Sequence, residues 1–178
     1  MSHYLGALYP AITSLINTKK RTAEAQGIDF ALAIKSDFSQ LNISPWDLNS
    51  LLGNLIENAM EAAIYDKHPR VTIELSHQNG QYVIYIANNG STIIDKEKIF
   101  EPGYTTKGSL SRGYGLFLVK QVVEQYSGTI TVISNRKTHV TVQIPDGEGG
   151  LGDDKFYLPE DCLYLICLFS LSLFTAIY

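Results

Sequence analysis

The stretch at residues 48–63, LNSLLGNLIENAMEAA, carries two stripes that only a helix satisfies at once. Leu48, Leu51, Leu52, Leu55, Ala59 and Ala62 recur at three- and four-residue spacing and form one apolar face. Asn54, Asn58 and Glu61 repeat at four and then three, which stacks two amides and a carboxylate along another face. An oxygen-only stripe of this kind suits magnesium, which keeps few protein ligands and completes its shell with water and phosphate oxygens. The same stripe serves equally as the solvated side of an ordinary amphipathic helix. The start of the helix is written in Ser44-Pro45-Trp46-Asp47: a hydroxyl cap, a proline at the first helical position and a carboxylate three residues after the cap.

The rest of the chain must supply what this helix packs on. Residues 28–35 alternate Ile28, Phe30, Leu32 and Ile34 and read as a strand. Residues 70–76 and 81–87 read as two more, joined at Gln78-Asn79-Gly80 in a hairpin. Residues 128–135 and 139–145 form a second pair around Asn135-Arg136-Lys137. Between the pairs, residues 116–126 read as a helix with Leu116, Val119, Val123 and Tyr126 inward and Lys120, Glu124 and Gln125 outward. Gly113 and Gly115 at its start expose backbone N–H groups at the positive end of the helix dipole, an arrangement that holds phosphate and also serves a simple tight turn. The polar turn Asn88-Asn89-Gly90-Ser91-Thr92-Ile93 leaves a strand end, where ligand loops and plain connections both occur. Residues 103–111, with two glycines and little to bury, read as a mobile loop.

Residues 4–26 read as a helix bent at Pro10 and stopped by Gly27. Its stripe of Leu5, Leu8, Ile12, Leu15 and Ile16 has no obvious partner, so a second copy or a missing segment, rather than the domain, is expected to cover it. His3 lacks the acidic or amide neighbours that would orient an imidazole nucleophile. The order helix, strand, helix, hairpin, helix, hairpin is that of an α+β fold: helices layered on a mixed, largely antiparallel sheet.

Composition narrows the function. The 178 residues, 45% hydrophobic and 18% charged, have room for one core domain with appendages. A net charge of −4, with no basic stripe beyond Lys19-Lys20-Arg21, argues against nucleic acid as a partner. Both cysteines, Cys162 and Cys167, lie in the tail, so neither a disulfide framework nor a zinc site is supported and a reducing compartment fits. No secretory leader is visible at the start. Beyond Pro145 comes a glycine- and acid-rich linker, and then residues 162–178, an uncharged run of 17 at the low end for a membrane span. A tail anchor giving membrane contact, a buried terminal helix and a shifted reading frame all remain open for this run.

Four segments, NLIENAMEAA, IANNGSTI, IFEPGYTTK and SRGYGLFLVKQVVEQYSGTITV, together resemble the ATP-binding domain of sensor histidine kinases, in the wider group that includes gyrase-type and heat-shock chaperone ATPases. They look like its asparagine box, first glycine box, phenylalanine box and second glycine box, in order. The wording is most similar to the citrate and dicarboxylate sensor kinases, and the resemblance covers about residues 4–146. It implies a Bergerat-type two-layer α/β sandwich over 28–146, preceded at 1–27 by the second helix of a dimerisation hairpin and followed at 147–178 by the linker and tail. Asn58 is implied as the Mg²⁺ ligand, with Asn54 facing the same site. Asn88 takes the position of the adenine-binding aspartate, and Gly90 admits the base. Lys107 is implied to reach the phosphates and Gly113 and Gly115 to offer amides. Thr105, Thr106, Arg112, Tyr114 and Leu116 complete the ATP-binding set, and Phe100 reads as a lid anchor.

The expected reaction is that of a protein-histidine kinase, moving the ATP γ-phosphoryl group to a histidine nitrogen, with Glu57 and Glu61 as candidate proton acceptors. Hydrolysing relatives carry a glutamate where this chain has Asn54, an amide without useful basicity, so rapid ATP hydrolysis is not expected. Asn88, Thr92 and Ser111 depart from the boxes, standing for an aspartate and two glycines. No upstream segment resembles the phosphoacceptor helix, so the chain reads as a truncated kinase or a stand-alone domain. The implied partners are the acceptor hairpin of the same kinase, a response regulator and a second copy in the full-length homodimer. The implied place is the cytoplasmic side of a membrane-bound bacterial sensor. The alternative is a nucleotide-gated interaction module of the same fold.

Overall fold

The computed structural model describes residues 10–105 and 113–147. Its elements run α1 (Pro10–Ala25), β1 (Asp29–Ile34), α2 (Pro45–Ala63), β2 (Arg70–Gln78), β3 (Gln81–Asn88), α3 (Gly115–Gln125), β4 (Thr129–Ser134) and β5 (Thr138–Pro145), with a 3-10 turn at Lys98–Phe100. Every expected helix and strand is present, with ends displaced by a residue or two, except the start of the first helix, expected at residue 4, which lies outside the described residues. The sheet order is β1-β2-β3-β5-β4. β1 pairs parallel to β2 and all other pairs are antiparallel, which makes the sheet mixed. The β2–β3 turn is built on Asn79 and Gly80, both at positive φ, as a tight hairpin requires.

The alternation read from the sequence is the alternation of the sheet. Val71, Ile73 and Leu75 of β2, Ile84 and Ile86 of β3, and Val142 and Ile144 of β5 are buried under the helices. α2 lies at the centre of that layer and packs on α1, α3, β2 and β3. Because it is flanked on both sides, it buries Ile56, Met60 and Ala63 in addition to Leu48, Leu51, Leu52, Leu55 and Ala59. Each buried leucine, isoleucine or methionine among them contributes about 1.5–3 kcal/mol of transfer free energy.

The apolar stripe of α1 finds its partner inside the chain, which corrects the expectation of a second copy. Ile12, Ile16 and Ala23 are buried in the same core as α2, and Lys19 pairs with Glu57 across the two helices. Geometry explains this: three residues separate α1 from β1, so the helix folds back over the layer that β1 enters. The expected bend at Pro10, with Leu5 and Leu8, lies outside the described residues.

The N-terminus of α2 is capped as its sequence dictates. The Asp47 N–H donates to Ser44 Oγ at 3.1 Å, and Ser44 Oγ donates to Asp47 Oδ2 at 2.8 Å. Tyr126, at the end of α3, adds a tie the sequence does not announce. Its hydroxyl donates to Asp47 Oδ2 at 2.7 Å and accepts the Ser44 N–H at 3.1 Å. This clamp fixes α3 antiparallel beside α2. Tyr126→Phe removes a hydrogen bond to a charged group and strands the Ser44 donor, so we expect a loss of about 2 kcal/mol, read by urea unfolding. Burial first, and then the bond to Asp47, raise the Tyr126 phenol above its ordinary 10.0. A raised phenol keeps its proton longer folded than unfolded, so the clamp is intact below the unfolded value and fails as pH climbs through the folded one.

Candidate functional site

Three groups converge on α2. The first is its own amide stripe, in which Asn54 and Asn58 are both half-buried. Asn54 Nδ2 donates to the Ser50 carbonyl at 2.8 Å, which leaves Oδ1 as the outward end of the amide. That oxygen lies at the start of α3: a Cβ added to Gly115 would sit 2.8 Å from it. Glycine there lets the first turn of α3 close on Asn54.

The second group is that first turn. Tyr114, the capping residue of α3, makes no side-chain cap bond, and no acidic residue lies in the turn. Its first N–H groups stand at the positive end of the helix dipole beside the amide stripe, and the cap side chain does not take them. Gly113 adopts φ +112, and a Cβ on it would meet the backbone of Gly103 and Tyr104 at 2.6–2.7 Å. Phe100 has Lys120 of α3 5.8 Å above its ring.

The third group is the loop that leaves β3. Asn88 is 5% exposed and faces the helix layer in register with Thr138. Its Nδ2 donates to the Asn89 carbonyl at 2.8 Å, which again leaves an amide oxygen as acceptor. Next to it, the hydroxyls of Ser134 and Thr138 bond each other at 2.7 Å in a buried polar pair, and Ser134 Oγ takes the Ile93 N–H at 2.8 Å. Sequence reasoning passed over both hydroxyls as ordinary strand residues. Their signal is a pair of polar positions on the buried side of an otherwise apolar ladder. The loop is seated directly on α2: Ser91 N–H donates to the Ala62 carbonyl, and Gly90 packs against that same carbonyl. The close neighbour of Gly90 is thus the end of α2.

Other site candidates fall differently. Glu57 points away from the amide stripe, half-exposed and paired with Lys19. Glu61 and Thr105 are half-buried, each with an interaction partner. Leu116 packs against the core, and Tyr114 is half-buried. Thr106, Lys107 and Arg112 lie outside the described residues. A groove of about 430 Å³ lined by Ile133, Asn135, Arg136, Lys137 and His139 holds none of these residues.

The donor set fits a magnesium nucleotide. Among the described residues no group of three His, Cys, Asp or Glu side chains could hold a metal by itself. Amide oxygens beside an uncapped helix start instead suit an ion that shares its shell with phosphates.

Comparison with known proteins follows the same line. The profile of a family described as histidine kinase-, DNA gyrase B- and HSP90-like ATPase matches residues 44–148. A probable C4-dicarboxylate sensor kinase of Halalkalibacterium halodurans is 29% identical over 147 residues, 78% of this chain and 28% of that protein. The sensor histidine kinase DcuS of Escherichia coli K12 is 43% identical over 106 residues, 57% of this chain and 19% of that protein. The chain thus spans about a quarter of these relatives' length. Among solved structures, the catalytic domain of histidine kinase ThkA superposes with a TM-score of 0.65 at 22% identity, covering 76% of this chain and 90% of that one. Acinetobacter baumannii histidine kinase AdeS gives 0.62 at 17%, covering 78% and 64%. At these identities the structures speak to the fold, and the fold is the one expected.

Proposed function

We propose a role for this chain from one premise: it belongs to the histidine kinase-, DNA gyrase B- and HSP90-like ATPase family. It is the ATP-binding catalytic domain of a sensor histidine kinase and hands the γ-phosphoryl group to a histidine nitrogen on a separate segment. The observation that carries this is the seating of the amide stripe, the start of α3 and the Asn88 loop on one helix.

Asn88 Oδ1 accepts from the adenine amino group. Asn58 would hold the magnesium ion, with Asn54 facing the same site, and the first amides of α3 would hold phosphate oxygens. Bound there, the ion would neutralise charge on the triphosphate. Phosphoryl transfer asks the protein mainly for position and charge neutralisation, so few groups suffice. Glu61, on the stripe of Asn54 and Asn58, and Glu57, paired with Lys19, are the carboxylates to take a proton from the incoming imidazole.

In the full-length protein we place residues 1–27 in the dimerisation hairpin, 28–146 as the catalytic domain and 147–178 as linker and tail. The assembly is a homodimer on the cytoplasmic side of a bacterial sensor, and it phosphorylates a response regulator through its acceptor hairpin. No helix among the described residues is long and apolar enough to cross a membrane.

The test is γ-labelled ATP with the chain alone and with the acceptor hairpin of a matching kinase. Acid-labile label is expected on the hairpin and not on the chain. ATP binding without any transfer favours the other reading, a nucleotide-gated interaction module.

A further inference from the structure

Asn89 makes more structural bonds than a turn residue needs. Its Oδ1 accepts the Arg70 N–H at 2.7 Å, its Nδ2 donates to the His68 carbonyl at 2.7 Å, and its own N–H donates to the Arg70 carbonyl at 3.3 Å. The β2–β3 ladder has its last register pair at Val71 and Asn88. Asn89 therefore carries the pairing past its end, with a side-chain amide standing in for a missing strand. The result is a fixed Asn89 carbonyl, and that carbonyl is the group to which Asn88 Nδ2 donates.

An asparagine amide has a donor end and an acceptor end, and rotation by half a turn exchanges them. With Nδ2 held by Asn89, Asn88 presents oxygen. Oxygen selects a base that offers a donor, such as the 6-amino group of adenine, over one that offers a 6-oxo group. We propose that Asn89 is the positioning residue that sets the purine preference of this site, by clamping the Asn88 amide with its oxygen outward. The proposal rests on the reading of Asn88 as the base contact. Once the clamp is loosened, Asn88 can turn its NH₂ toward a 6-oxo base. A carboxylate has no donor end and needs no clamp.

The experiment measures magnesium-dependent binding of ATP and inosine triphosphate, whose base is a 6-oxo purine, to four proteins: wild type, Asn89→Ala, Asn88→Asp and the double variant. Asn89→Ala is expected to cut the ATP preference by about tenfold, through weaker ATP and stronger inosine triphosphate binding. In the Asn88→Asp background, the same change should alter the preference by less than about twofold. Asn89→Asp keeps the acceptor for Arg70 and gives a smaller shift in the same direction if Asn89→Ala does not fold. If Asn89 only holds the loop together, both nucleotides weaken in parallel in both backgrounds, and the proposal is overturned. Wild-type protein that binds no ATP would instead remove the nucleotide reading beneath it.

Discussion

Gly90→Ala destabilises the domain by at least about 3 kcal/mol and removes nucleotide binding. The Cβ it adds would lie 2.0 Å from the Ala62 oxygen, 2.8 Å from its carbon and 3.1 Å from the Ala63 Cα. All three are backbone atoms of α2, whose last buried residue is Ala63, so no side chain can swing aside. The conformation adds to the cost, since φ is +107 and L residues rarely adopt it. Relief comes only by lifting the loop, which breaks the Ser91 to Ala62 bond and moves Asn88 away from the helix. Gly53→Ala is the control: it lies inside α2 with nothing within 4 Å of an added Cβ, and alanine there gains about 0.5–1 kcal/mol in helix propensity. Urea unfolding of the two variants measures the difference. A Gly90→Ala protein with wild-type stability and affinity would mean that the loop does not sit on α2.

The second large effect is at Asn58. Asn58→Ala is expected to weaken ATP binding in magnesium by more than about tenfold while leaving stability within about 0.5 kcal/mol, because the side chain is half-buried and polar and lies outside the hydrophobic core cluster. The reason is chemical: an octahedral ion that gives up water reluctantly needs a protein oxygen at that corner, and alanine has none. Asn54→Ala should cost less, since Asn54 faces the same site and its oxygen lies at the start of α3. An Asn58→Ala protein with undiminished magnesium-dependent affinity would move the metal elsewhere.

What the sequence revealed and what it hid follow from contact range. The cap of α2 was legible because Ser44, Pro45 and Asp47 act within one turn, and the bonds are those expected. The strands were legible because alternation records which side is buried. The insertion of β5 between β3 and β4 was not, because a hairpin can join a sheet by either strand. Tyr126 was correctly placed on the inward face of α3, but its bond to Asp47 joins residues 79 apart, and no local pattern encodes that. Likewise, the stripe of α1 pointed to cover from outside the domain, whereas its described part packs in the core with α2. Gly90 was singled out as admitting the base, and the close approach seen at it is to Ala62. At Asn88, the structure adds the partner that holds the amide in one orientation.

The central claim is that the amide stripe of α2, the start of α3 and the Asn88 loop form one magnesium–nucleotide site. Titration calorimetry of the unmodified chain with ATP, in magnesium and then in excess chelator, tests it directly. Saturable binding at one site in magnesium, falling by more than about tenfold in chelator, is the predicted result; equal affinity in both, or no binding in either, would contradict it.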